Sequence, residues 1–191
     1  MRVSRAFEVP GGLRDLMMSF DLQPVLASKI VCLRPLKTSD FEPLYAVAAD
    51  PLIWEQHPEP ARYQEPVFRR FFADAMASCG ALLISDTASQ RVIGSSRYSG
   101  FDPAASEVEI AWMFLARDHW GGTYNAEVKR LMLGHAFRFV ERVAFYIGPH
   151  NRRSHIAVQR IGAVRVSDRM DATGETRARY EITREAFQGF R

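Results

Sequence analysis

The chain has little of what marks secreted, disulfide-stapled or membrane-spanning proteins. It contains only two cysteines, Cys32 and Cys79, in 191 residues, which is too few for a disulfide framework and is typical of a reduced, cytoplasmic protein. No apolar run reaches the roughly 18 residues of a membrane-spanning helix, and the first residues lack the apolar segment of a secretory signal. We therefore expect a cytoplasmic protein with no membrane partner.

Lysine and one-sided charge are also scarce. Only three of the 25 basic residues are lysines, and 22 acidic residues are interspersed among them, which leaves a formal net charge of +3. A nucleic-acid-binding domain concentrates its basic residues on one face, so we expect no direct nucleic-acid partner. Five histidines are present, but their spacing matches no metal-ligand pattern, and we expect no metal site.

The hydrophobic pattern divides the chain into two regions. Proline and glycine interrupt residues 1–28, where no period is visible, and we predict an N-terminal extension there, either disordered or a docking arm. Residues 29–191 are predicted to form one folded domain, since 47% of the chain is hydrophobic and this suffices for a sizeable core. Their pattern predicts the order β-α-α-β-β-β-α-β-α-β-β, an α+β fold in which a mixed sheet has helices on both faces.

A strand is predicted at Glu107–Leu115, where apolar and polar residues alternate. One face carries the side chains of Val108, Ile110, Trp112 and Phe114. The other face carries Glu107, Glu109, Ala111 and Met113. A short loop leads to a long helix predicted from about Thr123 to Arg142, and so much of its circumference is apolar that we expect it to be buried.

Gly121 and Gly122 stand at the start of that helix. First-turn amides of a helix have no internal partner and carry the positive end of the helix dipole, and glycine lets a ligand approach the backbone without a Cβ in the way. The pair therefore suits an anion cradle, although a plain tight turn would use the same residues. Neither a Gly-Lys-Ser/Thr P-loop nor a GxGxxG dinucleotide fingerprint is present.

These motifs, in their order and spacing, resemble those of a known family. Trp120-Gly121-Gly122-Thr123-Tyr124-Asn125-Ala126-Glu127 is similar to the W-G-x-G-Y-x-x-E motif of the GCN5-related N-acetyltransferases (GNAT), in the branch that contains the ribosomal-protein alanine N-acetyltransferases. Asn151-Arg152-Arg153-Ser154 and Gly162-Ala163 resemble the N-x-x-S and G-A segments of that branch. Thr123 stands in the second glycine position of the motif, and because a β-branched residue disfavours positive φ, we expect regular helix there.

The resemblance implies a GNAT-like fold with a mostly antiparallel sheet, and residues 29–191 would be the acetyltransferase domain. It implies transfer of an acetyl group from acetyl-CoA, as co-substrate, to a primary amine of a small molecule or a protein N-terminus by direct attack in a ternary complex. A homodimer is a further option. The implied coenzyme contacts are the backbone of Met113, Phe114 and Leu115, the helix-start residues Trp120, Gly121, Gly122, Thr123 and Tyr124, Asn151, and one of Arg117, Arg152 and Arg153 for the 3'-phosphate.

Two residues are candidates for proton transfer. Glu109 is predicted to lie beside the thioester and to act as general base, with Glu107 as its substitute; the alternative is that both simply face solvent. Many members of the family donate a proton to the leaving sulfur from a tyrosine, but Val158 stands at that position here. Ser154 is then the candidate acid, and its alternative role is to cap its own helix.

The proline-rich loop between the first two predicted helices is where this fold usually meets its acceptor. Trp54, His57 and Tyr63 are candidates to line that pocket, and the alternative is aromatic packing under the loop. Two other functions stay open at this point. One is a catalytically impaired acyl-CoA-binding module, motivated by Thr123 and the missing tyrosine, and the other is an RNA-associated protein, against which the balanced charge argues.

Overall fold

A computed structural model describes residues 20–171 and 174–188 of the chain. In these ranges the strands are β1 (Leu26–Ala27), β2 (Val31–Pro35), β3 (Ala81–Asp86), β4 (Val92–Asp102), β5 (Glu107–Leu115), β6 (Arg142–Ile147), β7 (Val164–Met170) and β8 (Thr176–Thr183). The helices are α1 (Phe41–Ala48), α2 (Glu65–Ala77), α3 (Thr123–Ala136), α4 (Arg152–Gln159) and α5 (Arg184–Gln188). None of the helices in these ranges is long and apolar enough to cross a membrane.

The described strands form one sheet in the order β1-β2-β3-β4-β5-β6-β8-β7. Neighbouring strands are antiparallel except β5 and β6, which run parallel. The connection between β5 and β6 passes through α3, and a parallel pair requires such a crossover. The prediction of an α+β fold with a mixed, mostly antiparallel sheet is confirmed, with β1 and α5 added to the predicted order.

Two hydrophobic cores lie on opposite faces of the sheet. Successive residues of β3 alternate between them: Leu82 and Ile84 join the core that contains residues of α3 and α4, whereas Ala81 and Leu83 join the core that contains residues of α1 and α2. We call these the α3-side core and the α2-side core. The predicted placement of helices on both faces is therefore confirmed.

Residues 20–28, the last part of the predicted N-terminal extension, pack against the domain. Phe20 is buried in the α3-side core, with its ring 5.1 Å from that of Tyr98 and 5.3 Å from that of Phe139. β1 pairs with β2 at the edge of the sheet. The chain thus contributes to the fold from Phe20 onward, and residues 1–19 of the extension predicted for residues 1–28 lie outside the described residues.

Helix α3 is shorter than the sequence predicts. It ends at Ala136 rather than near Arg142, and a turn over residues 137–140 is closed by a hydrogen bond from the Val140 N–H to the Ala136 carbonyl oxygen. This turn brings Arg142 beside Glu107, where the parallel ladder of β5 and β6 begins. The prediction of a longer helix is wrong because no glycine or proline marks the end and Val140 is buried as a helical residue would be.

Two polar side chains are buried on α3, which the sequence pattern presents as an apolar helix. Lys129 and His135 are 5% and 6% exposed. The Lys129 ammonium donates to the side-chain oxygen of Asn125 and to the sulfur of Met113, 3.5 Å away, and burial lowers the pKa of Lys129 to about 8. His135 Nε2 lies 2.7 Å from the carbonyl oxygen of Asp21, which ties α3 to the N-terminal segment.

Strand β5 contains one residue more than the part of β4 that faces it. Ser95 pairs with Phe114 and Arg97 pairs with Ala111, so that two steps along β4 match three along β5. The backbone accommodates the extra residue at Trp112, whose φ of 49° lies in the left-handed region. This arrangement is a β-bulge, which bends a strand and changes the direction of its side chains.

The bulge changes the face on which the later side chains of β5 lie. Val108 and Ile110 contribute to the α3-side core as predicted, but Trp112 and Phe114 pack in the α2-side core, and Leu115 returns to the α3-side core. The prediction that four apolar residues share one face is therefore wrong for two of them. A single inserted residue shifts the two-residue side-chain period, and alternation alone does not reveal it.

Gly94 lies in β4 close against the backbone of β5, and we expect Gly94→Ala to destabilise the protein. A Cβ at this position would lie 2.0 Å from the carbonyl oxygen of Phe114, so the backbone must move, and the free energy of unfolding should fall by roughly 1–3 kcal/mol, as in overpacked cores. The control is Gly134→Ala in α3, where the nearest atom, in Phe187, is 3.9 Å away and alanine should stabilise the helix by about 0.5–1 kcal/mol. Urea unfolding measures both, and equal stability of the two variants would contradict the close approach.

Candidate active site

Strands β5 and β6 separate next to the bulge. In the described chain their parallel ladder pairs only Glu107–Glu109 with Arg142–Ala144. Beyond Glu109 the strand continues beside β4, so the edge of Met113–Leu115 that faces β6 has no ladder partner among the described residues. An extended ligand can add to such an edge through backbone hydrogen bonds.

The loop after β5 leads to an uncovered helix start. Gly121 has a φ of +68°, which favours glycine, and Gly122 is the N-cap of α3 without a side-chain cap. A Cβ added at either glycine would meet no atom within 4 Å. Thr123 is the first residue of the helix, in agreement with the expectation of regular helix there. The first-turn amides of α3 are therefore accessible to an anion.

Trp120 and Arg153 hold this loop in place. The indole N–H of Trp120 donates to the carbonyl oxygen of Leu115 at 2.9 Å, and the guanidinium of Arg153 lies over the Trp120 ring, 4.3 Å from its centroid. The same guanidinium donates to the carbonyl oxygen of Leu52 at 3.3 Å and to the carboxylate of Glu55 at 3.1 Å. Arg153 thus joins α4, the loop before α3 and the segment after α1.

The side chains of Tyr124 and Arg117 also have partners within the protein. The Tyr124 hydroxyl donates to Asp86 at 2.7 Å, and hydrogen bonds from Ser89 and Tyr124 lower the pKa of Asp86 to about 2. Arg117 forms an ion pair with Asp50, and its hydrogen bond lowers the pKa of that carboxyl. Tyr124 therefore has its backbone amide free of these side-chain contacts, and the guanidinium of Arg117 is already engaged by a carboxylate.

Asn151 and Ser154 have separate roles at the start of α4. The side-chain oxygen of Asn151 accepts the backbone N–H of Ser154 at 3.1 Å, so Asn151 is the N-cap of the helix. The hydroxyl of Ser154 makes no hydrogen bond to another residue of the described ranges. Ser154 therefore does not cap its helix through its side chain, and this hydroxyl is available to a ligand.

Glu109 lies at the point where β5 and β6 part. It is the last residue of β5 in the parallel ladder. Burial raises its pKa to about 7, although the positive charges of Arg177, Arg169 and Arg97 oppose this shift. A carboxyl group with this pKa exchanges a proton near neutral pH, which suits a general base.

Glu107, the substitute base of the sequence analysis, is held in ion pairs. Its carboxylate accepts a hydrogen bond from Arg179 at 2.6 Å and lies 3.5 Å from the Nε of Arg142. These contacts join β5 to β6 and β8. The structure therefore favours Glu109 over Glu107 for proton transfer.

Trp54 and His57 lie at different depths in the loop after α1. Trp54 is 1% exposed and its indole N–H donates to the carbonyl oxygen of Ala48 at 2.7 Å, so its predicted contact with an acceptor is corrected to packing in the α2-side core. His57 is partly buried, and Arg62 places a guanidinium nitrogen 3.0 Å from its Nδ1. Burial and the charge of Arg62 lower the pKa of His57 to about 3, so the ring is neutral at pH 7.

Two arginines beside this loop were missed by the sequence analysis. Arg97 projects from β4 and is 6% exposed, and Arg62 projects from the short 3-10 turn Pro60–Tyr63. Their guanidiniums lie 5.7 and 4.7 Å from the centroid of the Phe71 ring. A signal exists for Arg97, because it is the single charged residue of the strand-forming run 92–101, whereas Arg62 has none.

The family model of the acetyltransferase (GNAT) domain matches residues 31–164, which include the opened strand, the uncovered helix start and the cap of α4. The chain therefore belongs to the GNAT family and is an acetyl-CoA-dependent N-acetyltransferase. No curated protein matches the chain.

Solved structures of acetyltransferases share the fold. A GCN5-related N-acetyltransferase from Brucella melitensis is similar with a TM-score of 0.74 at 18% identity, over 88% of this chain and 84% of that one. RimJ from Mycobacterium smegmatis, in complex with CoA-disulfide, gives 0.66 at 16% identity over 85% and 87% of the two chains. Spermidine N-acetyltransferase from Vibrio cholerae, in complex with CoA and spermine, gives 0.62 at 12% identity over 83% and 98%.

The residues present fit acetyl-CoA. The uncovered start of α3 suits the pyrophosphate, because glycine leaves its amides open and the helix dipole favours negative charge. The unpaired edge of Met113–Leu115 suits the amide groups of the pantetheine arm. Within the described residues, no group of three or more histidine, cysteine, aspartate or glutamate side chains is placed to hold a metal ion.

We expect Gly121→Ala to weaken coenzyme A binding about tenfold or more. Left-handed backbone costs an L residue about 1–2 kcal/mol, so the free loop of the variant should relax to another conformation, and binding must then restore the left-handed one; 1.4 kcal/mol is a factor of ten. The methyl group itself would meet no atom of the protein within 4 Å. The matched control is Gly100→Ala, since Gly100 has a φ of +57° and also nothing within 4 Å of an added Cβ, but lies in β4. Calorimetric titration with coenzyme A measures both, and an equal affinity of the two variants would contradict the pyrophosphate assignment.

Proposed function

We propose that this N-acetyltransferase binds acetyl-CoA and a primary amine together and that the amine attacks the acetyl group directly. The placement of β5 carries the proposal. The strand bears Glu109 just before the bulge and the unpaired edge of Met113–Leu115 just after it, and its loop leads to Gly121. A carboxylate for the acceptor and a backbone edge for the donor therefore share one strand, which brings both substrates to one place.

The donor side is assigned to the backbone and to three polar side chains. Acetyl-CoA supplies an acetyl group activated as a thioester. The Met113–Leu115 edge would hold the pantetheine arm, with Asn151 as an additional contact, and the amides from Gly121 to Tyr124 would hold the pyrophosphate. Arg117 and Arg153 are positioned next to this region and would exchange Asp50 and Glu55 for the 3'-phosphate, since guanidinium binds carboxylate and phosphate with the same geometry.

Glu109 is assigned as the base that takes the proton of the amine. An α-amine needs only about 1 kcal/mol for deprotonation at neutral pH, whereas a lysine side chain needs roughly 4.6 kcal/mol. A single carboxylate with a pKa of about 7 matches the smaller requirement. An amine of low pKa, such as that of a peptide or protein N-terminus, is therefore the better acceptor.

Ser154 is assigned as the group that gives a proton to the departing sulfur. Its hydroxyl makes no hydrogen bond to another residue of the described ranges, and it is the backbone N–H of Ser154 that donates to Asn151. The hydroxyl lies in the first turn of α4, on the helix that Arg153 ties to the loop before α3. A positioned donor of this kind contributes typically 10²–10⁴-fold, by order of magnitude, to the rate.

We further propose that the enzyme works in the cytoplasm and can form a homodimer. Free cysteines support the first point, since Cys32 and Cys79 are both unpaired. The edge strand β7 supports the second, because the side chains of Val164, Val166 and Met170 on it are exposed. His57 and the exposed Tyr63 are the remaining candidates of the loop after α1 for contact with the acceptor.

An impaired acyl-CoA-binding module would bind the coenzyme without transferring the acetyl group. The decisive experiment is release of coenzyme A from acetyl-CoA by the full chain in the presence of a panel of primary amines. Release that depends on the amine supports direct transfer. Coenzyme binding by calorimetry without amine-dependent release from any acceptor would favour the module.

The Glu109→Gln variant is expected to lose the pH dependence that Glu109 provides. Because the pKa of Glu109 is about 7, wild-type kcat/KM should rise as the pH increases through this value, and the variant should lack this limb, with its largest loss of activity above pH 7.

The raised pKa of Glu109 also affects stability. The native state holds this proton more tightly than the unfolded state, so wild-type stability falls as the pH rises from the ordinary pKa of a glutamate to about 7. The variant should then be more stable than the wild type above that pH.

Glu107→Gln is the control for this experiment. It breaks the ion pairs with Arg142 and Arg179 and should lower stability, but the pH limb should remain. Since the charge of Glu107 raises the pKa of Glu109, the limb should move to lower pH. An unchanged pH–rate profile of Glu109→Gln, measured by coenzyme A release, would remove Glu109 as the base.

Ser154→Ala is expected to lower kcat roughly tenfold or more, because a positioned proton donor is lost. Coenzyme A affinity should change little, since the backbone N–H of Ser154 still donates to Asn151. Ser154→Thr retains a hydroxyl and should restore part of the rate. Turnover and calorimetry together check this, and a wild-type kcat in Ser154→Ala would limit Ser154 to its backbone role.

A further inference from the structure

Arg62 and Arg97 are guanidiniums largely removed from water, and neither forms an ion pair with a carboxylate of the described ranges. Arg97 is buried, and Arg62 is partly buried. Arg97 donates to the carbonyl oxygen of Asp74 at 3.4 Å, and Arg62 lies against the ring nitrogens of His57, which is neutral. Neither contact supplies a negative charge.

Aromatic rings hold the planes of both guanidiniums. Phe71 lies beneath both, and Arg62 also lies over Trp54 at 5.5 Å while Arg97 lies over Trp112 at 4.4 Å. A guanidinium that stacks on an aromatic ring keeps its five N–H groups in its own plane, so they point away from the ring. The rings therefore fix the orientation of the two groups and leave most of their donors for another molecule.

The arginine pair borders the place assigned to the acceptor amine. Arg97 pairs with Ala111, two residues from Glu109 on β5, so Arg97 and Glu109 lie on one face of two neighbouring strands. The charge of Arg97 acts on Glu109. Arg62 belongs to the same group, because the charge of Arg97 acts on it. Burial chiefly, and then the charges of Arg177 and Arg97, lower the pKa of Arg62 to about 10 against the opposing charges of Glu59 and Asp74, and this value still leaves it charged at neutral pH.

Two like charges close together in a partly dry site are unfavourable unless an anion joins them. Burial removes the water that would solvate each guanidinium, and the two repel each other. A carboxylate relieves both effects, since its two oxygens match the fork of a guanidinium. The carboxylates of Glu59, Asp74 and Glu109 act on the pair through their charge, but none is within ion-pair distance of either guanidinium, and an anion on a ligand would supply that contact.

We propose that Arg62 and Arg97 form an anion subsite of the acceptor pocket, and that the acceptor is an amine that carries a carboxylate close to its amino group. The inference rests on the amine acetylation proposed above. The carboxylate at the arginines and the amine at Glu109 hold the acceptor at two points, which orients the amine for attack. A polyamine has no anion for the subsite and brings more positive charge beside it.

The experiment compares acceptors with and without the carboxylate, with amine-dependent release of coenzyme A by the full chain as the readout. Because an α-carboxylate raises the pKa of the neighbouring amine, the rates of the alanine pair are compared per neutral amine. Alanine against alaninamide tests the α-carboxylate of a free amino acid. A peptide that begins with serine and aspartate, against one that begins with serine and asparagine, tests an acidic side chain beside a protein-type N-terminus. We expect the acidic member of at least one pair to have a kcat/KM about tenfold higher or more, and spermidine to be a poor acceptor.

Two variants connect the preference to the arginines. Arg62→Gln removes the charge at the more exposed position, and Arg97→Lys keeps the buried charge but removes the planar fork. Each should raise KM for the acidic acceptor roughly tenfold and change kcat less, so that the preference over the amide falls. The matched control is Arg69→Gln, since Arg69 also stacks on a ring, that of Phe41 at 4.3 Å, but is exposed and paired with Glu65.

The outcomes separate this inference from the function on which it rests. Equal kcat/KM for both members of both pairs, with coenzyme A released, would overturn the anion subsite and leave the acetyltransferase standing. An equal loss for acidic and neutral acceptors in both arginine variants would do the same. Coenzyme binding with no amine-dependent release would overturn the proposed transfer, and the subsite with it. Thermal unfolding identifies a variant that fails to fold, in which case the wild-type acceptor pairs decide.

Discussion

The extra residue at Trp112 in β5 is the constraint on which the geometry of the site depends. A strand cannot change the faces of its side chains without an insertion, and here the insertion lets Phe114 pack on Trp54, 4.9 Å between ring centroids, while Leu115 enters the opposite core. The end of β5, which no longer pairs with β6, is therefore anchored in both cores. Left-handed backbone is unfavourable for a bulky residue, and the stacking of Trp112 under Arg97 is one of the contacts that offset it.

Helix starts that are marked by a glycine or a capping residue can be predicted from the sequence. Gly121 and Thr123 mark the start of α3, and Asn151 marks the start of α4, because φ preference and capping act over a few residues. The end of α3 and the bulge have no such mark, since tryptophan is not a residue that favours positive φ. The arginine subsite is beyond sequence reasoning for a different reason: Arg62 and Arg97 are far apart in the chain and meet only through the packing of α2 against the sheet.

Burial shifts the pKa values of the titratable groups around the acceptor position to different ranges. His57 titrates near pH 3 and Arg62 near pH 10, so neither changes charge around neutrality. Glu109 does, with a pKa of about 7. A change in pH near neutrality therefore acts on this pocket through one carboxyl group, and the arginines present a constant positive field to whatever enters.

The scarcity of lysine has a consequence for an enzyme that handles an activated acyl donor. Lys129 is enclosed between α3 and β5, so Lys29 and Lys37 are the lysines that reach the surface. Arginine stays protonated and does not act as a nucleophile under these conditions. By carrying its positive surface charge almost wholly as guanidinium, the protein offers a thioester few nucleophilic side-chain amines of its own and resists chemical self-modification by the reagent it consumes.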